Sequence, residues 1–264
     1  MTRPGCSFFP LFTYRKNSAD RPENDDLFAP ASPEREANLT AAARKYISSL
    51  GIKAGHDDES STLLWFHALA IGHSPLYLEE NRGALIQNWP RIPLPKDAKT
   101  LRAGAALGRQ LAALLDPETP VPGVTDLKPR ADLKGLGELA VAKGAAKQPD
   151  LAIAARWGYA GQGGVVMPGP GKTISGTRGE GFLDIHLNAT TRWKDVPAPV
   201  WTYTLGGFQV LKKWLSYREH ALLGRPLTGD EAQTFTHNVR RIAAILALHP
   251  QLDAHYAASI VFPG

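Results

Sequence analysis

The chain predicts an α+β fold, with a helical N-terminal half packed on a mixed, mostly antiparallel β C-terminal half that ends in a long helix. Three observations carry this. Capped stretches of helical periodicity crowd the first part of the 264 residues. Short apolar runs punctuated by glycine dominate 151–193. A heptad-like series of Phe235, Val239, Ile242 and Leu246 follows near the end. Composition shifts over 124–149, which is poor in aromatics and rich in Ala, Gly and Lys. The expected regions are therefore 1–125, a mainly helical support, and 126–264, a β-rich region with C-terminal helices.

Ser7–Tyr14 is apolar and aromatic and suits an edge strand. Asn17–Glu36 is acidic, proline-rich and short of apolar residues, so it is expected to be an exposed loop. Thr40 can cap a helix that stops at Gly51. Ser60 or Ser61 opens a second helix through Leu63, Leu64, Trp65, Phe66, Leu69 and Ile71, apolar on most sides and hence buried. Ser74-Pro75 is an N-cap and N1 pair for a third, running to about Gln87. N-W-P-R-I-P-L-P (88–95) must be extended, because three prolines exclude a helix. Asp97 caps a fourth helix through Leu101, Leu107, Leu111, Leu114 and Leu115, and D-P-E-T-P-V-P-G (116–123) ends it.

Strands are expected at Leu151–Trp157, Gly164–Met167 and Phe182–Leu187, with a fourth at Thr190–Trp193. The stretch from Val200 to Glu219 reads V-W-T-Y-T-L-G-G-F-Q-V-L-K-K-W-L-S-Y-R-E. Trp201, Tyr203 and Leu205 alternate as an extended piece, Gly206-Gly207 make a hinge, and a helix starts at about Phe208. Phe208, Val210, Leu211, Trp214, Leu215 and Tyr217 fill one half of that helix; Gln209, Lys212, Lys213, Ser216 and Glu219 fill the other. Arg218 projects from the apolar half. It is either a snorkelling, paired structural arginine or a phosphate or base contact. Thr228 and Glu231 form a T-x-x-E capping box for the last helix, which His249-Pro250 should stop.

Charge narrows the function. The net charge of +5 is mild, but residues 1–150 hold 19 basic and 18 acidic side chains whereas 151–264 hold 11 and 7. No acidic residue lies between Leu151 and Gly179, while Arg156, Lys172 and Arg178 punctuate a glycine-rich segment. A polyanionic partner suits that half. No apolar run approaches the roughly 18 residues that a membrane span needs, and the N-terminus has no signal-peptide pattern. The single Cys6 allows no internal disulfide and no thiolate metal cluster, which fits a reducing, cytoplasmic location.

Catalytic motifs are missing. P-G-P-G-K-T (168–173) is no phosphate-binding loop, since Val166 stands where the first glycine belongs and two prolines remove amide donors. G-Q-G-G (161–164) lacks the last glycine of a dinucleotide fingerprint. The eight histidines show no metal-ligand spacing, and there is no G-x-S-x-G. No catalytic residue, metal or cofactor is therefore assigned to this chain. What remains is a binding profile: basic groups for phosphates, and Gln162, Arg178 and Gln209 as side chains able to read base edges.

The 200–219 stretch resembles the signature of the C-terminal target-recognition domain of type ISP restriction-modification enzymes and related adenine-specific DNA methyltransferases. H-S-P-L-Y (73–77), N-W-P-R-I-P-L-P, L-G-R-Q-L-A-A-L (107–114), G-F-L-D-I-H-L-N (181–188), L-G-R-P-L-T (223–228) and F-T-H-N-V-R-R-I-A-A-I-L (235–246) agree with it in order and spacing. The resemblance covers about Phe8 to the C-terminus. It implies a sequence-specific DNA-binding module of an adenine-N6 methyltransferase system, whose partners are double-stranded DNA and a methyltransferase domain or subunit. S-adenosylmethionine is expected only on that methyltransferase partner. The chain itself has no [N/D]-P-P-[Y/F/W] tetrapeptide and no F-x-G-x-G loop. The candidate DNA-binding residues are Arg156, Gln162, Lys172, Arg178, Gln209, Lys212, Lys213 and Arg218, the last three as phosphate contacts. Two competing readings are a protein-interaction module that docks a methyltransferase and a small enzyme with an unrecognised site.

Overall fold

A computed structural model describes residues 10–15, 34–53, 58–145 and 148–260. The fold is α+β, and every strand pairing among the described residues is antiparallel. The chain divides into two compact units, Met1–Ala112 with His249–Gly264, and Ala113–Leu248.

In the first unit, β1 (Phe12–Arg15) pairs with β2 (Glu34–Ala37). The expected loop at Asn17–Glu36 thus ends in a strand from Glu34, and its earlier part lies outside the described residues. α1 (Ala41–Ser49) starts where Thr40 accepts the Ala43 N–H at 3.2 Å, and Gly51 follows it at φ +75°. α2 (Asp58–Gly72) buries Leu63, Ala70 and Ile71 completely. Leu63 joins Ile47, Ile52, Leu101 and Ala105 in one core.

The expected helix from Pro75 to Gln87 is two helices, α3 (Pro75–Glu80) and α4 (Arg82–Gln87). The break falls at Asn81 (φ −105°, ψ 8°), whose backbone N–H and side-chain amide both donate to the Tyr77 carbonyl, at 3.1 and 2.9 Å, and so close α3 there. Ser74 caps α3 as expected, accepting from Tyr77 N–H while donating to Asp253 at 2.6 Å. Residues 88–95 carry no regular structure, as the prolines require. α5 (Ala98–Leu115) begins at Asp97, which accepts the Thr100 N–H at 2.8 Å.

The second unit holds a four-stranded sheet in the order β3-β8-β7-β6, from β3 (Glu138–Val141), β6 (Thr173–Ser175), β7 (Phe182–His186) and β8 (Thr191–Pro197). β3 and β6 have no counterpart in the sequence reading. A separate hairpin joins β4 (Gly158–Ala160) to β5 (Val166–Pro168). The strand expected at Leu151–Trp157 is not one. Ala154 N–H donates to Leu187 O at 2.7 Å, but the Ile153 and Leu151 carbonyls accept from His220 at 2.6 Å and Leu227 at 3.0 Å, which lie in no strand, and Arg156 turns the chain at φ +66°.

Trp201 lies in α6 (Ala198–Thr202) rather than in an extended piece. β9 (Thr204–Leu205) and β10 (Phe208–Gln209) form a tight hairpin, then α7 (Val210–Ser216) and α8 (His220–Leu223) follow. α9 runs Gly229–Ile260, opening on the full capping box: Glu231 N–H donates to Thr228 Oγ1 at 3.2 Å and Thr228 N–H to Glu231 at 2.9 Å. It passes through Pro250 instead of stopping there. One missing backbone bond is offset because the next turns bury Leu252, His255 and Tyr256.

Candidate nucleic-acid interface

The second unit is organised by aromatic packing around α7. Trp193 of β8 stacks on Phe235 of α9 with ring centres 4.0 Å apart, and Trp214 of α7 closes the cluster 5.5 Å from Phe235. Leu211 and Leu215 are fully buried on the same helix. These contacts fix where α7 ends, and so where Glu219 stands.

Glu219 is 6% exposed. Its carboxylate accepts the N–H groups of Arg156 at 3.2 Å and Trp157 at 2.7 Å. An anion here holds the turn that Arg156 makes at positive φ before β4. Trp157 is buried, donates its indole N–H to His186 O at 2.7 Å, and meets Trp201 edge-on at 5.2 Å. Glycines admit the close approaches. A Cβ on Gly158 would lie 2.0 Å from Ser216 O, and one on Gly171 would lie 2.0 Å from the Trp157 ring. The β4–β5 hairpin and the 169–172 segment are thereby clamped to the exit of α7.

A second clamp sets the 176–181 loop. Asp195 sits at φ +54° and is buried. Its carboxylate accepts the Thr177 hydroxyl at 2.9 Å and the Arg178 N–H at 3.0 Å. Asp184 holds Asp195 in turn, accepting its N–H at 2.9 Å, and also accepts Arg192 Nε at 2.7 Å. The ladder shifts register between Leu183 and Ile185, the bulge that turns Asp184 inward.

The third projecting element is the β9–β10 hairpin. Gly206 and Gly207 have φ of +57° and +82°, the pattern of a type I′ turn. Leu205 and Phe208 face each other across it. The two glycines are therefore a fixed turn and not a hinge.

The candidate residues fall into four groups. Arg156 and Lys172 are exposed, and the Gly171 N–H to Arg156 O bond at 3.1 Å ties their two segments together. Gln162 is exposed at the tip of the β4–β5 hairpin. Gln209, Lys212, Lys213 and Arg218 belong to α7 and its flanks. Gln209 donates its amide to Trp201 O, and Lys213 Nζ lies 5.0 Å and 4.6 Å from the ring centres of Phe208 and Tyr217. Arg218 lies 4.1 Å over the Trp214 ring and donates to Trp214 O at 3.3 Å, while its Nε is buried without a hydrogen-bond partner. Burial lowers its pKa, an effect opposed by Glu231. Glu231 itself is held at about 2, chiefly by the hydrogen bond from Arg225. Arg178 is set apart, donating to Lys134 O and approaching Asp195 at 3.9 Å.

Sequence reasoning missed Glu219, Asp184 and Asp195 as loop holders, and Leu205 with Phe208 as a projecting tip. Only the last left a local signal: two glycines between apolar residues mark a hairpin.

The fold is shared with parts of two larger proteins of solved structure. The chain matches the DrdV–DNA complex at 20% identity and a TM-score of 0.50, over 84% of this chain and 20% of that one. It matches the ATP-dependent type ISP restriction-modification enzyme LlaBIII bound to DNA at 13% identity and a TM-score of 0.50, over 93% of this chain and 13% of that one. The chain thus spans about a fifth or less of those proteins. No curated protein matches it. Residues 2–245 match the type ISP C-terminal specificity domain, and the chain belongs to that family.

Proposed function

We propose that this chain is the sequence-specific DNA-binding module of an adenine-N6 methyltransferase restriction-modification system, and that it carries no catalytic centre of its own. Family membership over 2–245 is the observation that carries the reading. The two fold relatives named above are complexes with DNA, which agrees with it. So does the surface: the Glu219 and Asp195 clamps hold the segments that carry Arg156, Gln162, Lys172 and Arg178, and 151–179 holds no carboxylate. Cations there neutralise phosphates, and amide and guanidinium groups on rigid loops read base edges.

On this reading the partners are double-stranded DNA and a methyltransferase domain or subunit. S-adenosylmethionine binds to that partner, and the system works in the cytoplasm. No helix among the described residues is long and apolar enough to cross a membrane. The test is to partition a randomised duplex pool on the chain at several salt concentrations. Enrichment of one sequence, with affinity that falls as salt rises, is expected. Retention of no duplex at any salt, alongside tight binding to the system's methyltransferase, would instead make the chain a docking module.

A further inference from the structure

The β9–β10 hairpin carries a feature that phosphate neutralisation does not explain. Leu205 is 51% exposed and Phe208 58% exposed. They are cross-strand partners at the mouth of a two-glycine turn, so their side chains stand together on one face. Single exposed apolar residues are ordinary, but a matched pair at a projecting tip is not.

The tip is stiff. Both turn residues hold positive φ. The Val210 N–H donates to Tyr203 O at 3.1 Å, and Gln209 donates to Trp201 O, so the base of the hairpin is tied at two points. Below the tip the surface continues without a break. Lys213 Nζ lies between the rings of Phe208 and Tyr217, and Tyr217 is itself 49% exposed.

Charge decides what could cover this surface. From Val200 to Arg218 there is no carboxylate, and Glu219 is buried on backbone amides. An apolar protein surface would gain nothing from an ammonium held beside the apolar tip. A stacked polyanion matches both features at once: apolar faces for bases, and a cation for the phosphate alongside.

We propose that Leu205 and Phe208 form a wedge that enters the DNA duplex between base pairs, with Lys213 placed to meet a phosphate flanking the opened step. This rests on the DNA-binding reading above. Stiffness is what the task needs, because a wedge must sustain the cost of unstacking a step. Lys213 is then distinct from Lys212, for which no ring contact is found among the described residues: the first meets the phosphate beside the tip, the second a phosphate elsewhere on the backbone.

The experiment uses the full chain and a short mixed-sequence duplex carrying 2-aminopurine, whose emission rises when it is unstacked. The same duplex with a central mismatch, which opens more easily, is the second probe. The wild-type chain is expected to raise the emission several-fold and to bind the mismatched duplex tighter than the intact one. The double variant Leu205→Ala with Phe208→Ala should keep its thermal melt, since both side chains are exposed. It should keep the salt slope on the intact duplex, lose the emission rise, and lose roughly tenfold in affinity for the mismatched duplex. Wild-type binding with no emission rise overturns the wedge and leaves the DNA reading standing. So does a double variant that keeps the rise, or one that keeps every DNA response but no longer binds the methyltransferase. Failure of the wild-type chain to bind either duplex overturns both.

Discussion

Removing the Glu219 carboxylate tests whether the recognisable stretch serves the loops or the DNA. In Glu219→Ala the Arg156 and Trp157 amides lose a charged acceptor inside the protein. The Trp157 amide belongs to a residue with no exposure at all. Each such bond contributes about 1.5 to 3 kcal/mol, and the longer, part-buried Arg156 bond sits at the low end. The loss is therefore about 3 to 4.5 kcal/mol. For a chain of this size that lowers the melting temperature by about 6 to 18 °C. Glu219→Gln keeps one acceptor oxygen and turns an amide donor toward the other N–H, so it should fall about midway. Circular dichroism melts give the shift, and hydrogen exchange at the Arg156 and Trp157 amides locates it. Proteins that melt within about 1 °C of each other, with unchanged exchange at those two amides, would refute the clamp.

Three further outcomes follow from the same structure. Lys212→Ala with Lys213→Ala should weaken binding to all DNA sequences and flatten the salt dependence by about one phosphate contact per lysine lost, and an unaltered slope in a titration against salt counts against it. Gly171→Ala places a Cβ 2.0 Å from the Trp157 ring at φ +66°, so it should cost about 2 kcal/mol or more in denaturant unfolding; a neutral result would mean the ring can yield. The buried pair His67 and His255, 3.0 Å apart, should make the chain acid-sensitive. Burial lowers both pKa values, that of His255 to about 4 with the His67 ring adding to the effect. The unfolded chain then takes up protons first as pH falls below 6.5. Stability is full above that value and declines towards pH 4, by about 2 kcal/mol, and replacing both histidines by glutamine should flatten this slope. A stability that is level across that window rejects the assignment.

Much of the helical architecture was legible because helix ends are local. Thr40, Ser74-Pro75, Asp97 and the Thr228–Glu231 pair each act on residues within one turn, so four consecutive letters suffice. Where long-range packing decides, the letters misled. Pro250 stays inside α9 because Leu252 and Tyr256 are buried beyond it. The Leu151–Trp157 run has strand composition but no ladder partner, and Arg156 turns it. β6 is three residues among glycines and prolines, and it exists only because β7 lies beside it. At the site, the aromatic and basic residues were visible as types. The roles of Glu219 and Asp195 were not, since Glu219 acts on amides 62 and 63 positions earlier and Asp195 on a hydroxyl 18 positions away.

Glu219 grips amides and not side chains. Any residue other than proline offers the same N–H at 157. The carboxylate therefore places no demand on which letters follow in the loops, only on the path they take. Substitutions at exposed positions such as 162 and 172 are free to change what is contacted without reopening the fold. A protein built this way can acquire a new target by small steps, each intermediate still folded, as a tool handle accepts new blades.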